Sequence, residues 1–132
     1  MAKNKLKKFS QIKGYLHVIE PSIDNLQKKE LDLKGKWRTD FFQNNNPIIL
    51  ELGCGKGEYS VALAEKNPDK NFIGIDIKGA RIWKGATDVV EKKISNVGFL
   101  RIRIEWIEKC FAKNEINEIW ITFPDPQVKY RR

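Results

Sequence analysis

The sequence has 132 residues, of which 25 are Lys or Arg and 17 are Asp or Glu, so its formal net charge is +8. This length suits one domain with its own hydrophobic core. Every apolar run falls short of the roughly 20 residues that a membrane span needs, and no apolar segment follows the basic N-terminus as in a signal peptide. We therefore expect a cytoplasmic protein without membrane contact, and the charge is consistent with polyanion binding.

Residues 1–46 are interpreted as a basic N-terminal extension, and residues 47–132 as the main domain. A short helix is predicted near residues 37–42, followed by an Asn-rich loop that ends at Pro47. Basic tails bind nucleic acid in many proteins and only improve solubility in others. The candidate RNA-binding residues of this segment are Lys5, Lys7 and Lys8.

The segment 48–79 predicts a strand, a glycine-rich turn, a helix and a second strand. Ile48, Ile49, Leu50 and Leu52 form a short apolar run rich in β-branched residues, as in a strand buried on both faces. Gly53, Gly55 and Gly57 follow, and glycine there permits positive φ and lets a ligand approach the backbone. Asp76 ends the second strand, 23 residues after Gly53, where an acid that binds ribose is expected.

The glycine spacing helps to identify the ligand. It reads Gly-x-Gly-x-Gly rather than the Gly-x-Gly-x-x-Gly of dinucleotide sites, and Glu58 follows at once. A carboxylate in the first helical turn repels phosphate. S-adenosylmethionine, a nucleoside without phosphate, fits better, and Glu51 is placed to attract its ammonium group. A dinucleotide and a purely structural unit are the alternatives.

The remaining elements continue the alternation. A helix is predicted over residues 79–93, a strand over 97–104, a helix over 105–113 and a strand over 118–123. Such alternation implies a doubly wound α/β fold of Rossmann-like type, with four parallel strands in the order 3-2-1-4. The fourth strand should leave an exposed sheet edge, through which self-association is expected.

A carboxylate between two prolines follows the fourth strand. Pro124 and Pro126 hold Asp125 on a stiff loop at the carboxyl edge of the sheet, where ligands of such folds bind. A rigid turn without function is the alternative. The chain then closes with three cations that are RNA-binding candidates: Lys129, Arg131 and Arg132.

Three side chains are predicted to have no catalytic or metal-binding role. Cys54 lies within the glycine turn and Cys110 near a predicted helix end, and neither has a second cysteine or histidine at metal spacing. His17 is the only histidine and is interpreted as an ordinary polar residue. No metal site is therefore expected.

Three motifs together resemble the bacterial tRNA (guanine-N7-)-methyltransferases: ELGCGKGEY, FIGIDIKGARIWKGA and WITFPDPQ. The resemblance covers residues 47–129 and implies a donor site that includes Glu51 and Asp76. It also implies that Asp125 acts beside the target guanine and that Lys129 contacts tRNA. Arg103 stands where the family has an acid, so we expect Glu105 to substitute.

The resemblance also predicts which part of the family's sheet this sequence forms. The family sheet has seven strands, so this sequence is expected to form the donor half, with the C-terminal strands absent. A donor-binding or RNA-binding module without turnover is one alternative function, and a small-molecule methyltransferase is another.

Overall fold

The computed structural model describes residues 6–8 and 14–121. Its centre is a parallel sheet of five strands in the spatial order β1-β4-β3-β2-β5. The strands, in chain order, are β1 (Val18–Ile19), β2 (Ile48–Leu52), β3 (Asn71–Asp76), β4 (Val97–Arg101) and β5 (Glu118–Ile121). The helices are α1 (Ile23–Lys28), the π-helical α2 (Trp37–Phe42), α3 (Glu58–Lys66), α4 (Gly79–Lys92) and the 3₁₀ helix α5 (Ile104–Lys109).

The sheet has a hydrophobic core on each face, which confirms the α/β class. Successive residues of a strand point to opposite faces, and Phe72 packs into one core while Ile73 packs into the other. The first core receives α3 and α4 through residues such as Val61 and Ile82. The second receives side chains from the N-terminal segment and from residues around α5, so both faces are covered.

The four predicted strands correspond to β2, β3, β4 and β5, and they lie in the expected order 3-2-1-4. The structure adds one strand that was not predicted. The two residues of β1 pair in parallel with Phe99 and Leu100 and extend the sheet beyond β4. The N-terminal segment thus supplies one edge of the sheet.

Residues 14–46 pack closely on the rest of the protein. Leu26 and Trp37 are 2% and 0% exposed. The indole N–H of Trp37 donates to the Cys110 carbonyl over 2.8 Å, and the Glu115 carboxylate accepts from the backbone N–H groups of Gly35 and Trp37. The helix predicted near residues 37–42 is present as α2. The boundary between residues 46 and 47 stays a prediction.

Two predicted elements were wrong in extent. The third predicted strand ends at Arg101 rather than at residue 104, because its neighbour β3 ends at Asp76, which pairs with Arg101. The helix predicted over 105–113 is the short 3₁₀ helix α5, and the carbonyls at its end accept hydrogen bonds from the N-terminal segment. Leu31 N–H donates to Lys109, and the Lys34 ammonium donates to Glu108.

Candidate ligand site at the carboxyl ends of the strands

The glycine-rich turn follows β2 and is fixed to β3. Gly53, Gly55 and Gly57 have φ of 69°, 57° and 73°, in the left-handed region that side chains disfavour. Between them, the Cys54 N–H donates to the Ile75 carbonyl over 2.9 Å. The turn is therefore held against the end of the neighbouring strand.

The glycines have different surroundings. A Cβ at Gly55 would meet no atom within 4 Å, so its backbone faces open space that a ligand can use. A Cβ at Gly57 would stand 2.6 Å from the Phe99 ring. Gly57 thus permits close packing within the protein, and it begins α3 as the N-cap residue.

Asp76 links the glycine turn to the start of α4. Its side chain is 6% exposed. One carboxylate oxygen accepts from the Gly55 N–H over 2.7 Å, and the other accepts from the Lys78 N–H over 2.9 Å. The Arg81 guanidinium lies 3.9 Å away. Because a carboxylate offers about four acceptor positions, these contacts leave capacity for hydroxyl donors of a ligand.

A cavity of about 340 Å³ opens beside Asp76, within the usual range for small-ligand sites. Isoleucines supply its apolar walls. Arg103, which stands where the family has an acid, and Glu105, which is expected to substitute for that acid, both line the cavity. The lining residues are Gly53, Ile75, Asp76, Ile77, Arg81, Ile102, Arg103, Ile104 and Glu105. Three of the predicted site residues, Gly53, Asp76 and Glu105, therefore line one cavity, and their role in donor binding stays a prediction.

Glu51 lies deeper than the cavity lining. It is 5% exposed within β2 and accepts a hydrogen bond of 2.6 Å from the Ser60 hydroxyl of α3. The sequence analysis did not identify this partner, although Ser60 stands one turn beyond the glycines and a hydroxyl there is a usable signal. A role for Glu51 with a ligand ammonium stays a prediction.

The two cysteines are free thiols held in the protonated form. Burial raises the pKa of Cys54 well above its usual value, and the nearby charges of Glu51 and Asp76 raise it further. Burial also raises the pKa of Cys110 to about 11. Neither thiol is therefore an activated nucleophile.

Most of the predicted catalytic and RNA-binding residues lie outside the described ranges: Lys5, Asp125, Lys129, Arg131 and Arg132. Lys7 and Lys8 are described, and they lie in a helical turn of residues 6–8. The Lys8 ammonium stands 4.7 Å from the ring centroid of Trp83 in α4. Lys8 is thus anchored on the domain.

A network beside the cavity was not anticipated from the sequence. The Arg101 guanidinium donates to the Ile77 carbonyl over 3.0 Å and to the Glu20 carboxylate over 3.0 Å. It connects the N-terminal segment to the cavity rim. A lone arginine at a strand end offers no signal for such a role, because its partners lie 24 and 81 residues away in sequence.

Residues 6–8 and 14–121 contain no cluster of three or more His, Cys, Asp or Glu side chains that could hold a metal ion. None of the helices in these ranges combines the length and the apolarity needed to cross a bilayer.

The fold and the site together define the class of this protein. A parallel sheet with a glycine turn after one strand, an acid at the end of the next and a cavity beside them is typical of Rossmann-like α/β domains. Residues 45–132 match the profile of a family described as "Putative methyltransferase". The chain belongs to this methyltransferase family.

Curated relatives are more specific. The chain is 60% identical over 131 residues to the tRNA (guanine-N(7)-)-methyltransferase of Christiangramia forsetii, an alignment that covers 99% of this chain and 58% of that protein. It is 54% identical over 129 residues to the enzyme of the same name from Bacteroides fragilis, covering 98% of this chain and 51% of that protein. The chain thus spans little more than half the length of these relatives.

A solved structure supports the fold. The structure of an antibiotic-related methyltransferase superposes with a TM-score of 0.60 at 24% identity, covering 76% of this chain and 52% of that one.

Proposed function

We propose that this chain is the donor-binding part of an S-adenosylmethionine-dependent tRNA (guanine-N7-)-methyltransferase that acts in the cytoplasm. The observation that carries the proposal is the bond between Asp76 and Gly55 in a member of a methyltransferase family. The 60% identity to a protein named for this activity supports the substrate class.

The described residues fit the donor. The open space at Gly55 accommodates a ligand against the backbone, and Asp76 has acceptor capacity for the ribose hydroxyls. Isoleucines of the cavity provide apolar surface for an adenine ring. Glu51 is the proposed carboxylate for the ammonium group of the donor, and Glu105 is the proposed substitute for the family's acid at Arg103. Gly53 and Gly57 shape the turn.

The chemistry requires placement rather than a base. When bound, the donor supplies an electrophilic methyl group on a sulfonium. Guanine N7 carries a free lone pair at neutral pH, so no proton would have to be removed before N7 bonds to the methyl carbon, and the S–CH3 bond would break to leave S-adenosylhomocysteine as a neutral thioether. Correct orientation of two reactants can lower a barrier by roughly 7–11 kcal/mol.

Asp125 is the proposed catalytic residue. Its carboxylate can accept hydrogen bonds from the guanine N1–H and amino group, which would orient N7, and its charge offsets the cationic product. The pattern of Pro124 and Pro126 around it supports a fixed loop.

Cationic residues at both ends of the chain are proposed to bind the tRNA backbone: Lys5, Lys7, Lys8, Lys129, Arg131 and Arg132. A guanine involved in tRNA tertiary structure must be exposed before it reacts, at a cost of a few kcal/mol. Phosphate contacts by these cations would offset that cost.

One alternative is favoured by a specific observation. Because the chain spans little more than half of its relatives, it could bind donor or RNA without turnover. A small-molecule methyltransferase is a weaker alternative, because it would not use the net charge of +8. RNA binding that weakens steeply with salt would argue against that alternative.

The deciding experiment measures methyl transfer from labelled donor to tRNA, followed by mapping of the modified base. It uses the native gene product that contains this sequence, with Asp125→Ala and the loop variant Asp69→Ala as a matched control. We expect N7-methylguanine from the wild type and the control, and none from Asp125→Ala. Normal turnover by Asp125→Ala, or a different modified base, would contradict the mechanism.

A further inference from the structure

We propose that Trp83 docks the N-terminal lysines on α4, and that the band of cations formed there binds the phosphate backbone of RNA beside the donor cavity. The band is defined by Lys8, Lys56, Arg81 and Lys84. The inference rests on the proposed function for the identity of the polyanion, and it adds the surface by which that polyanion is held.

The first observation is that two described residues of the N-terminal segment contact one flank of α4. The Lys8 ammonium stands over the Trp83 ring at 4.7 Å, and the Tyr15 hydroxyl lies 3.1 Å from the Thr87 hydroxyl. Trp83 and Thr87 are four residues apart and so neighbour each other on the helix surface. A cation over an indole ring is attracted by the ring while it keeps its charge.

The second observation concerns the opposite flank of α4. Arg81 is exposed and lines the donor cavity. A Cβ at Gly85 would stand 2.5 Å from the Lys56 carbonyl, so the glycine turn packs directly on α4 and carries the exposed Lys56 with it. Lys84 is exposed and lies between the flanks. The four cations therefore cross the first half of α4.

Acidic residues near the band leave it positive. Asp88 pairs with Lys84 over 3.1 Å, one turn further along the helix. Asp76 is buried and accepts from two backbone N–H groups, while Glu58 is exposed at the start of α3. Two of the four cations, Lys8 and Lys56, have none of these acids as a described ion-pair partner.

The position of the band fits an extended polyanion. α4 begins directly after β3, so its first half lies at the carboxyl edge of the sheet, where the donor cavity opens. Cations on a convex helix surface are suited to a backbone that passes over it, because phosphate contacts position a nucleic acid without reading its bases. The band would thus hold RNA next to the reacting groups.

The test separates the aromatic dock from general packing. Trp83 packs against a hydrophobic core, so its loss could also destabilise the fold. Trp83→Leu keeps apolar bulk but removes the ring face, whereas Trp83→Phe keeps an aromatic face. Lys84→Gln removes one cation of the band, and Lys66→Gln removes an exposed cation from the far end of α3 as a matched control.

Binding of a tRNA transcript is measured by fluorescence anisotropy between 50 and 200 mM salt, with thermal melts to confirm folding. We expect Trp83→Leu and Lys8→Gln each to weaken binding about threefold and to flatten its salt dependence, as one lost phosphate contact would. Their combination should add little, because both remove the same contact. Trp83→Phe and Lys66→Gln should bind as the wild type does, and Lys84→Gln should lose about threefold.

Equal RNA affinity of Trp83→Leu and Trp83→Phe in folded proteins would overturn the dock. An equal loss in Lys66→Gln and Lys84→Gln would overturn the localised band. These results are distinguishable from failure of the proposed function, which would appear as absent methyl transfer to guanine N7 in the wild-type gene product.

Discussion

The two outer strands of the sheet differ in how the protein covers them. At one side, β1 has only two residues, and the N-terminal segment around it bonds to α4 through Tyr15 and His17 and to β4 through Glu20.

At the other side, all four residues of β5 are exposed. Ile119 and Ile121 are 54% and 57% exposed, and the Trp120 ring contacts the Tyr59 ring edge-on.

This difference shows which edge of the sheet is protected from pairing with other chains. A short edge strand offers few unpaired backbone groups to other chains, whereas an exposed apolar strand attracts a partner. The N-terminal segment thus protects the β1 side of the sheet, whereas the β5 side stays exposed among the residues that the structure describes. We propose that β5 of this chain pairs with a second copy, because its exposed apolar edge has unpaired backbone groups in the described part of the chain.

The largest expected effect separates two tryptophans, one in the buried part of the N-terminal segment and one in β5. Trp37→Ala removes a fully buried side chain from the N-terminal segment and should lower the free energy of unfolding by about 3–5 kcal/mol. Trp120→Ala removes a partly exposed ring and should cost about 0.5–1.5 kcal/mol, the value of an aromatic pair. Urea denaturation measures both, and equal costs would show that the N-terminal segment is not part of the core.

A second prediction concerns self-association. Replacing Ile119 and Ile121 by Thr keeps the β-branched shape but makes the exposed surface polar, so stability should change by only about 0.5 kcal/mol per site. Sedimentation velocity should show wild-type oligomers that the double variant lacks. A wild type that stays monomeric at high concentration would mean that β5 is satisfied in another way.

The smallest expected effect concerns the β1 side. Burial lowers the pKa of His17 from 6.5, although its hydrogen bond to the Ala86 carbonyl opposes the shift. The folded protein therefore binds this proton less readily than the unfolded chain. Its contribution to stability is present above pH 6.5 and is lost as the pH falls through the lowered pKa. His17→Gln should flatten the pH dependence of the melting temperature below pH 6.5, and an unchanged profile would contradict this.

The sequence predicted the features that depend on local pattern. The apolar runs, the glycine spacing and the position of Asp76 predicted the four long strands and the turn that is fixed to Asp76, whereas the role of these residues in ligand binding stays a prediction. The two residues of β1 carry no periodicity, and their partner residues in β4 lie 81 positions later. The end of β4 at Arg101 depends on where β3 ends, which a single segment does not encode.

The positions of the glycines and of Asp76 in the candidate site were predictable from the sequence. The residues that contact them were less predictable. Spacing alone does not distinguish Gly55, which faces open space, from Gly57, which packs on Phe99. The contact between Arg101 and Ile77 likewise arises from tertiary packing.

The central claim is that Asp76 and the glycine turn form the methyl-donor site, and calorimetric titration with S-adenosylhomocysteine, the demethylated donor, tests it most directly. The wild type and the distant control Asp69→Ala should bind with equal affinity. Asp76→Ala should bind about 1.5–3 kcal/mol more weakly, or roughly 10- to 150-fold, because a charge-assisted hydrogen bond is lost. Asp76→Asn, which keeps one acceptor for the backbone, should remain folded and still bind weakly. Equal affinity of the wild type and both Asp76 variants would contradict the account.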